Sequence, residues 1–376
     1  MKMAASGVSL AELNSEESAR TSQSGRFSPT APQIRFFDPI FSPDEWDSLV
    51  KQHPESQVFH SAAWARILSL AYRHRPYYLA AFGDSGIESI FPAMEVASRI
   101  TGRRGVSLPF SDACPPLHFT DPASGTALDG LLKIGYERDW KFLRVSTPAT
   151  GVDSSSTSAS CYCHWLDLSR PQSDLLARCT GSVRRAIRKA QHGGVAIKPE
   201  TSSEALRSFY SLHCQTRRRH GIPPQPWKFF DSIYRELILP GKGFIFTAQK
   251  DFRTSAAAVF LLWQDKVLYK FAASDLASQD LRPNNLIIWE AIRFFATRGI
   301  QKLHFGRTDL TDLGLRRFKL GWGSREETLQ YRKFDFHSRR WSVVKPLRSG
   351  THNEIFHRMP LFMNRLAGAV IYPHLD

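Results

Sequence analysis

The sequence has no apolar run that approaches the ~18 residues needed to cross a bilayer. Its beginning also lacks the basic start and apolar block of a signal peptide. Cysteine is scarce, with five residues at irregular spacing, and Cys161-Tyr162-Cys163 has no second pair at metal-ligand distance. We therefore expect a soluble, cytoplasmic protein with free thiols and no bound metal, able to lie peripherally on the inner membrane.

Acidic residues are few relative to basic ones. The chain has 35 Asp and Glu against 50 Lys and Arg, a formal net charge of +15. This balance favours a partner rich in phosphate, or an anionic surface. The sequence contains no reading helix, zinc finger or aromatic RNA-binding motif, so it gives no support for sequence-specific DNA binding.

The order of predicted elements indicates a duplication. Residues 1–33 are rich in Ser, Ala, Glu, Thr and Gln, and we expect a disordered leader there. Residues 34–168 read as three strands, a helix and two more strands, and residues 169–336 repeat that order behind additional helices. We therefore predict two α/β domains in tandem.

A C-terminal segment, residues 337–376, follows the second predicted domain. Apolar side chains recur in it at helical spacing: Ile355, Met359, Phe362, Leu366 and Val370. The sequence predicts an amphipathic helix that packs on the first domain; the alternative is a helix that lies on a membrane.

Residues 265–323 are the stretch around which the rest of the chain is organised. They read as a strand over 267–272, a helix that ends at Gly299, and a strand over 301–305 followed by a polar loop. The helix is introduced by Pro283, Asn284 and Asn285, and we expect an asparagine N-cap. Free N–H groups at such a helix start can bind a phosphate or a developing oxyanion. An ordinary capped core helix is the alternative.

Several runs, taken in order, resemble the FemAB-like family, in particular its branch associated with bacterial exosortase and exopolysaccharide systems. These runs are HRPYYLAAFG, GVSLPFSDACPPL, SVRRAIRKAQHGG, TRRRHGIPPQPWKFF, LRPNNLIIWEAIRFFATRG, FGRTD and GLRRFKLGWGS. Together they span roughly residues 34–375. The resemblance implies tandem GNAT-like acyltransferase domains of BioF2-like type, with mixed, mostly antiparallel sheets flanked by helices.

The resemblance also implies an N-acyltransferase that moves an acyl or aminoacyl group to an amine of a cell-envelope, exopolysaccharide or peptidoglycan precursor, nucleotide- or lipid-linked. The donor would be acyl-CoA or aminoacyl-tRNA, and no tightly bound cofactor is expected. The glycine-rich pyrophosphate loop of ordinary acetyltransferases is missing, because residues 279–285 contain no glycine. The long helical arm of some peptidoglycan-bridge enzymes also has no counterpart, so both donors remain open.

Acyl transfer requires donors aimed at the developing oxyanion and a base for the amine proton. Lys319 matches the family's F-K-x-G-x-G-like run and is the candidate for charge stabilisation, with Asp309 as the candidate base. Asp309 and Arg307 could instead pair as a structural clamp. We expect substrate contacts from Arg307, Tyr269, Asn284, Asn285, Phe318, Trp322, Ser111 and Asp112.

A basic face is predicted between residues 170 and 220, which hold eleven Arg or Lys and three acidic residues. An apolar stripe of Leu176, Cys179, Val183 and Ile187 leaves the cations on the other side of one helix: Arg184, Arg185, Arg188 and Lys189. This face could bind tRNA or acidic lipid head groups, or be simply solvated. The rival to an enzyme is accordingly a non-catalytic module that binds RNA or an anionic membrane.

Overall fold

The computed structural model describes residues 32–120, 126–148, 159–342 and 353–376. The chain from Pro32 to Asp376 forms one compact unit. The predicted leader, except for its last two residues, lies outside the described part of the chain.

The first half follows the predicted order. Its second helix begins at Ser61, whose side chain accepts a hydrogen bond from the Trp64 backbone N–H, and buries Trp64 and Leu68. The elements are β1 (Gln33–Phe37), α1 (Pro43–Val50), α2 (Ala62–Tyr72), β2 (Arg75–Gly83), β3 (Gly86–Ser98), β4 (Gly102–Val106), β5 (Leu117–His118), α3 (Thr126–Glu137), β6 (Phe142–Pro148) and β7 (Ala159–Asp167).

The second half repeats this order with more helices. Its elements are α4 (Gln172–Arg178), α5 (Gly181–His192), β8 (Ala196–Glu200), α6 (Ser203–Arg219), α7 (Trp227–Ile233), β9 (Gly243–Lys250), β10 (Arg253–Trp263), β11 (Lys266–Ser274), α8 (Pro283–Ala296), β12 (Lys302–Asp309), α9 (Leu313–Leu320), β13 (Arg325–Asp335) and β14 (Arg340–Ser342). A π-helical turn extends α7 over Tyr234–Ile238, and a 3₁₀ turn over Leu276–Leu281 precedes α8.

Two sequence predictions for this half were wrong. The helix predicted across residues 175–190 is two helices, because the chain is extended at Cys179 and Thr180. Residues 306–309, predicted as a loop, continue β12. Three elements, β8, α9 and β14, were not predicted.

All strands join one 14-stranded sheet. In each half, four antiparallel strands are followed by a parallel pair, β4 with β6 and β11 with β12. The last strand of each half crosses over: β7 pairs with β12, β13 pairs with β6, and β7 and β13 pair with each other. The predicted fold class, a mixed and mostly antiparallel sheet flanked by helices, is confirmed.

Two main apolar cores flank the second half of the sheet. One contains side chains of α2, α6 and α7, among them Trp64, Phe209 and Phe229. The other contains α5 and α8 and buries Trp289 and Phe295. Helix α8, which connects the parallel strands β11 and β12 along the chain, thus lies against the sheet over β8 to β11.

Two helices follow the second half, α10 (Asn353–Arg358) and α11 (Leu361–Ile371). The amphipathic helix was expected on the first domain, but α11 packs on α6 of the second half. It can do so because Gly368, which has no side chain, approaches the Pro224 carbonyl. Residues beyond α11 reach the first half, where Asp376 pairs with Arg104. No helix among the described residues is long and apolar enough to span a membrane.

Candidate functional site

The parallel strands β11 and β12 pair over only three residues each. The pairing ends at Leu268 and His304. Beyond His304 the register of β12 against β7 shifts, and Gly306 adopts φ of +74°, which favours glycine. We call the region between residues 269–274 of β11 and 306–309 of β12 the interstrand gap. The bulge at Gly306 turns backbone carbonyls away from the strand ladder.

Lys319 satisfies those carbonyls. It is the buried residue of α9, a helix that begins where the Asp312 side chain accepts a hydrogen bond from the Leu315 N–H. The Lys319 ammonium donates to the Gly306 and Arg307 carbonyls, at 2.9 Å each. Burial lowers its pKa to about 8, although Asp112 opposes that shift. An ammonium has three N–H donors, so one remains for a ligand.

Asp112 reaches the interstrand gap from the first half of the chain. Its carboxylate accepts a 2.8 Å hydrogen bond from Lys270 of β11 and a 3.5 Å bond from the Arg307 backbone N–H of β12. Lys270 also donates to the Phe110 carbonyl, at 2.8 Å. Burial, the largest single influence, would raise the pKa of Asp112, but the Lys270 ammonium together with His304 and Arg307 holds the pKa below its usual value. Asp112 is therefore an ionised bridge between the two separated strands.

Arg307 lies on the exposed side of the bulge. Its guanidinium donates to the Tyr331 hydroxyl at 3.0 Å and lies 5.7 Å from the centre of that ring. Asp309, two residues on and also exposed, ends β12. Within the described residues Arg307 forms no ion pair with Asp309, so the clamp between them is not formed. A fixed, exposed guanidinium suits a phosphate or carboxylate.

The first turn of α8 differs from the prediction. The N-cap residue is Arg282, in the left-handed conformation at φ of 56°, and neither Asn284 nor Asn285 caps the helix. The Asn285 backbone N–H donates a hydrogen bond to the Arg282 carbonyl at 3.1 Å, and Pro283 has no N–H. The Asn284 side-chain oxygen is buried without a partner among the described residues. This helix start therefore presents few free backbone donors.

Of the three predicted aromatic contacts, Trp322 lies in the apolar core, and Tyr269 and Phe318 are half-buried against it. The Tyr269 ring is 5.3 Å from that of Phe260, and burial raises the pKa of Tyr269. Trp322 is fully buried and the half-buried Phe318 packs against it. Trp322 at least cannot touch a substrate in this arrangement, because its aromatic neighbours cover it. Ser111 bonds to the Leu108 carbonyl and shapes the turn before Asp112.

The basic face is formed by α5 alone. Val183 and Ile187 are buried, Arg184 is half-buried, and the other predicted cations, Arg185, Arg188 and Lys189, are exposed. This helix packs against α8, and at its end Gly193 lies beside Leu281 of the 3₁₀ turn that precedes α8. Exposed cations therefore lie next to the start of α8.

Sequence reasoning missed Lys270 and Tyr331. A signal for Lys270 was present, since it interrupts the apolar run of a strand that is buried on both faces. Tyr331 had none, because its role depends on the crossover that puts β13 beside β7. No group of His, Cys, Asp or Glu in the described ranges is arranged to hold a metal ion.

Comparison with known proteins agrees with this geometry. Residues 177–326 match the model of the acetyltransferase (GNAT) domain family. Among solved structures, FemX matches with a TM-score of 0.61 at 14% identity, over 79% of this chain and 96% of FemX. L-PGS from Bacillus licheniformis matches with a TM-score of 0.51 at 12% identity, over 84% of this chain and 98% of L-PGS. Curated proteins give no match to the sequence. The fold that the predicted resemblance implied is confirmed.

Proposed function

We propose that this chain, which has a FemAB-like fold with a GNAT domain at residues 177–326, transfers an acyl or aminoacyl group to the amine of a cell-envelope or exopolysaccharide precursor. The observation that carries this proposal is the interstrand gap, where Lys319 holds positive charge against the Gly306 bulge. GNAT domains use acyl-CoA as a donor substrate, which is consistent with the expectation that this chain holds no tightly bound cofactor.

The chemistry follows from the charges at the gap. When an amine attacks an acyl carbonyl, negative charge develops on the carbonyl oxygen, and a preorganised donor in a buried site stabilises it. The third N–H of Lys319 is that donor. Arg307, fixed by Tyr331, binds a phosphate or carboxylate of the substrate. Asp309, at the exposed end of β12, accepts the proton of the attacking amine. The intermediate then collapses: the bond from the acyl carbon to the CoA sulfur, or to the tRNA ester oxygen, breaks, and the leaving group takes up that proton.

Aminoacyl-tRNA is the second candidate donor, and two observations favour it. The start of α8 has few free backbone donors to hold the pyrophosphate of a CoA ester, because Pro283 lacks an N–H and Asn285 uses its own. The C-terminal end of α5, the helix that carries the exposed cations, lies near that start, with Gly193 beside Leu281, and such cations suit a polyanionic backbone.

The acceptor part of the proposal, a nucleotide- or lipid-linked amino-sugar or peptide precursor in the cytoplasm, rests on the family resemblance. The exposed Arg307 guanidinium supports it, since such precursors carry phosphate. The non-catalytic reading, a module that binds RNA or an anionic membrane, would leave the buried charge of Lys319 without a chemical role.

The test measures binding and turnover with acetyl-CoA, a longer acyl-CoA and charged tRNA at two salt concentrations. We expect saturable binding of one donor class, with tRNA binding the more sensitive to salt. Lys319→Met should lower the transfer rate roughly 10²–10³-fold, the typical loss when one oxyanion donor is removed.

Lys198→Met is the matched control, because Lys198 is exposed on β8. It should transfer at the wild-type rate. Thermal melts should show that both variants are folded. Undiminished turnover in Lys319→Met would remove the lysine from the mechanism, and salt-sensitive tRNA binding without turnover in the wild type would favour the non-catalytic reading.

A further inference from the structure

Helix α11 packs on α6 through its small and polar side. Asn364 and Gly368 are fully or nearly buried, and the Asn364 amide donates to the Phe356 carbonyl at 3.0 Å, which ties α10 to α11. A Cβ at Gly368 would lie 2.0 Å from the Pro224 carbonyl oxygen. The close approach fixes the rotation of α11 about its axis, so its large side chains must face away from α6.

Those large side chains form an exposed apolar stripe. Phe362, Leu366 and Val370, four residues apart, are 72%, 65% and 59% exposed. The full stripe includes exposed side chains of both helices: Ile355, Phe362, Met363, Leu366 and Val370. Contiguous apolar surface of this kind typically marks a protein or membrane contact.

The rim of the stripe is cationic. Arg358 and Arg365 are exposed beside it, and the Arg365 guanidinium lies 5.2 Å from the Tyr210 ring centre, held at the side of α11. The last turn of α6, next to α10, carries three further arginines, Arg217, Arg218 and Arg219. They are half-buried, and the Arg217 and Arg219 guanidinium groups donate to the Tyr372 hydroxyl and the Ser274 carbonyl. Against these cations α10 contributes one acidic residue, Glu354. A second copy of the chain would bring like charges together, whereas an anionic bilayer would neutralise them.

We propose that α10 and α11 form a docking face for an anionic phospholipid bilayer. The apolar stripe enters the boundary between headgroups and acyl chains, and Arg358 and Arg365 pair with lipid phosphates. Neither helix spans the bilayer; both lie in its surface.

The docking face lies at the same edge of the sheet as the interstrand gap. The His357 ring N–H donates to the Arg219 carbonyl at 3.2 Å, and the Arg219 guanidinium donates to the Ser274 carbonyl at 3.4 Å. Ser274 ends β11 and Asp309 ends β12, and parallel strands end at the same edge. If the proposed function holds, docking brings the gap to the bilayer surface, which favours a lipid-linked acceptor over a free nucleotide-linked one.

The test uses the full chain and sedimentation with vesicles of phosphatidylglycerol and phosphatidylethanolamine, against vesicles of phosphatidylcholine alone. Wild type should bind the anionic vesicles at least tenfold more tightly, and salt should weaken the binding. The double variant Phe362→Ser/Leu366→Ser should lose at least tenfold in vesicle affinity. Phe252→Ser, which removes an even more exposed aromatic from the β9–β10 turn, is the control and should bind as wild type does.

A labelled variant gives a second readout that does not depend on the double substitution. The five native cysteines are all buried, so a polarity-sensitive dye will attach to Leu366→Cys alone, and its emission should shift to the blue with anionic vesicles. Lys319→Met should bind vesicles normally, which separates this proposal from the transfer reaction. Equal vesicle binding by wild type and the double variant would overturn it. So would a wild-type dimer, seen by light scattering, that the double variant dissociates.

Discussion

The two halves of the chain share a parallel strand pair but treat the residues beyond it differently. In the first half, β4 and β6 stay tied after their last pair, Val106 with Arg144: the Ser107 hydroxyl accepts from the Ser146 N–H at 3.0 Å and lies 3.3 Å from the Ser146 hydroxyl. In the second half the position that corresponds to Ser146 is Gly306, where the strand bulges.

This difference indicates which half carries the charged groups of the proposed site. The first pair is closed by two neutral hydroxyls, both buried. The second is held open by charged groups brought from other elements, Asp112 and Lys319. A fold that is repeated in one chain can thus keep one copy as a scaffold and use the same position in the other copy for a reaction.

The largest expected effect comes from breaking the charged bridge of the second half. Asp112→Ala leaves the buried Lys270 ammonium without its counter-charge, and we expect the free energy of unfolding to fall by roughly 3–5 kcal/mol. Transfer should fall as well, because the Arg307 backbone N–H at the bulge loses its hydrogen bond to Asp112. Denaturant titration measures the first effect.

The double variant Asp112→Ala/Lys270→Met is the control for that experiment. It removes the unpaired charge and should regain much of the lost stability. If the single and double variants are equally unstable, the ion pair does not hold the gap.

A second prediction uses the pH dependence of the free energy of unfolding to distinguish the second half from the first. The pKa of Lys319 is lowered from 10.5 to about 8 in the folded chain, so between these values the unfolded chain binds one more proton than the folded chain. The free energy of unfolding should therefore rise with pH in that window, by about 2–3 kcal/mol relative to Lys319→Met. Ser107 and Ser146, the hydroxyl pair of the first half, do not titrate in that pH window.

The same titration should appear in the reaction. Above about pH 8 the folded protein loses the Lys319 charge, so the wild-type transfer rate should decline once the acceptor amine is fully deprotonated. Parallel stability curves for wild type and Lys319→Met between pH 7.5 and 10.5 would contradict the lowered pKa.

Much of this site could be predicted from the sequence, within a clear physical limit. Lys319, Arg307 and Asp112 stand in local runs that mark them, and the structure brings all three to one bulge. The contacts that fix the charge and orientation of these side chains come from long-range pairing, such as the crossover that places Tyr331 next to Arg307. Local periodicity carries no information about such partners.

Local patterns also misjudged the aromatic residues. Trp322 lies in the same run as Lys319, yet it is buried while the Lys319 ammonium reaches the bulge. The reason is that α9 had not been predicted, so the direction of each side chain in that run was unknown. The basic helix α5 was oriented correctly because Val183 and Ile187 of the predicted stripe fix its buried face, although Leu176 and Cys179 belong to α4 and its C-cap.

The smallest expected effect comes from the closed pair of the first half. Ser107→Ala removes the acceptor for the Ser146 N–H and one partner of its hydroxyl, and we expect a loss of about 1–2 kcal/mol in the free energy of unfolding, typical of buried groups left without a hydrogen bond. Transfer by the remaining folded protein should be unchanged, since the first pair holds no charged group that takes part. If Ser107→Ala lowers the transfer rate as Asp112→Ala does, at an equal folded fraction, then the first pair also positions the reaction. The two halves would then not be divided into scaffold and site.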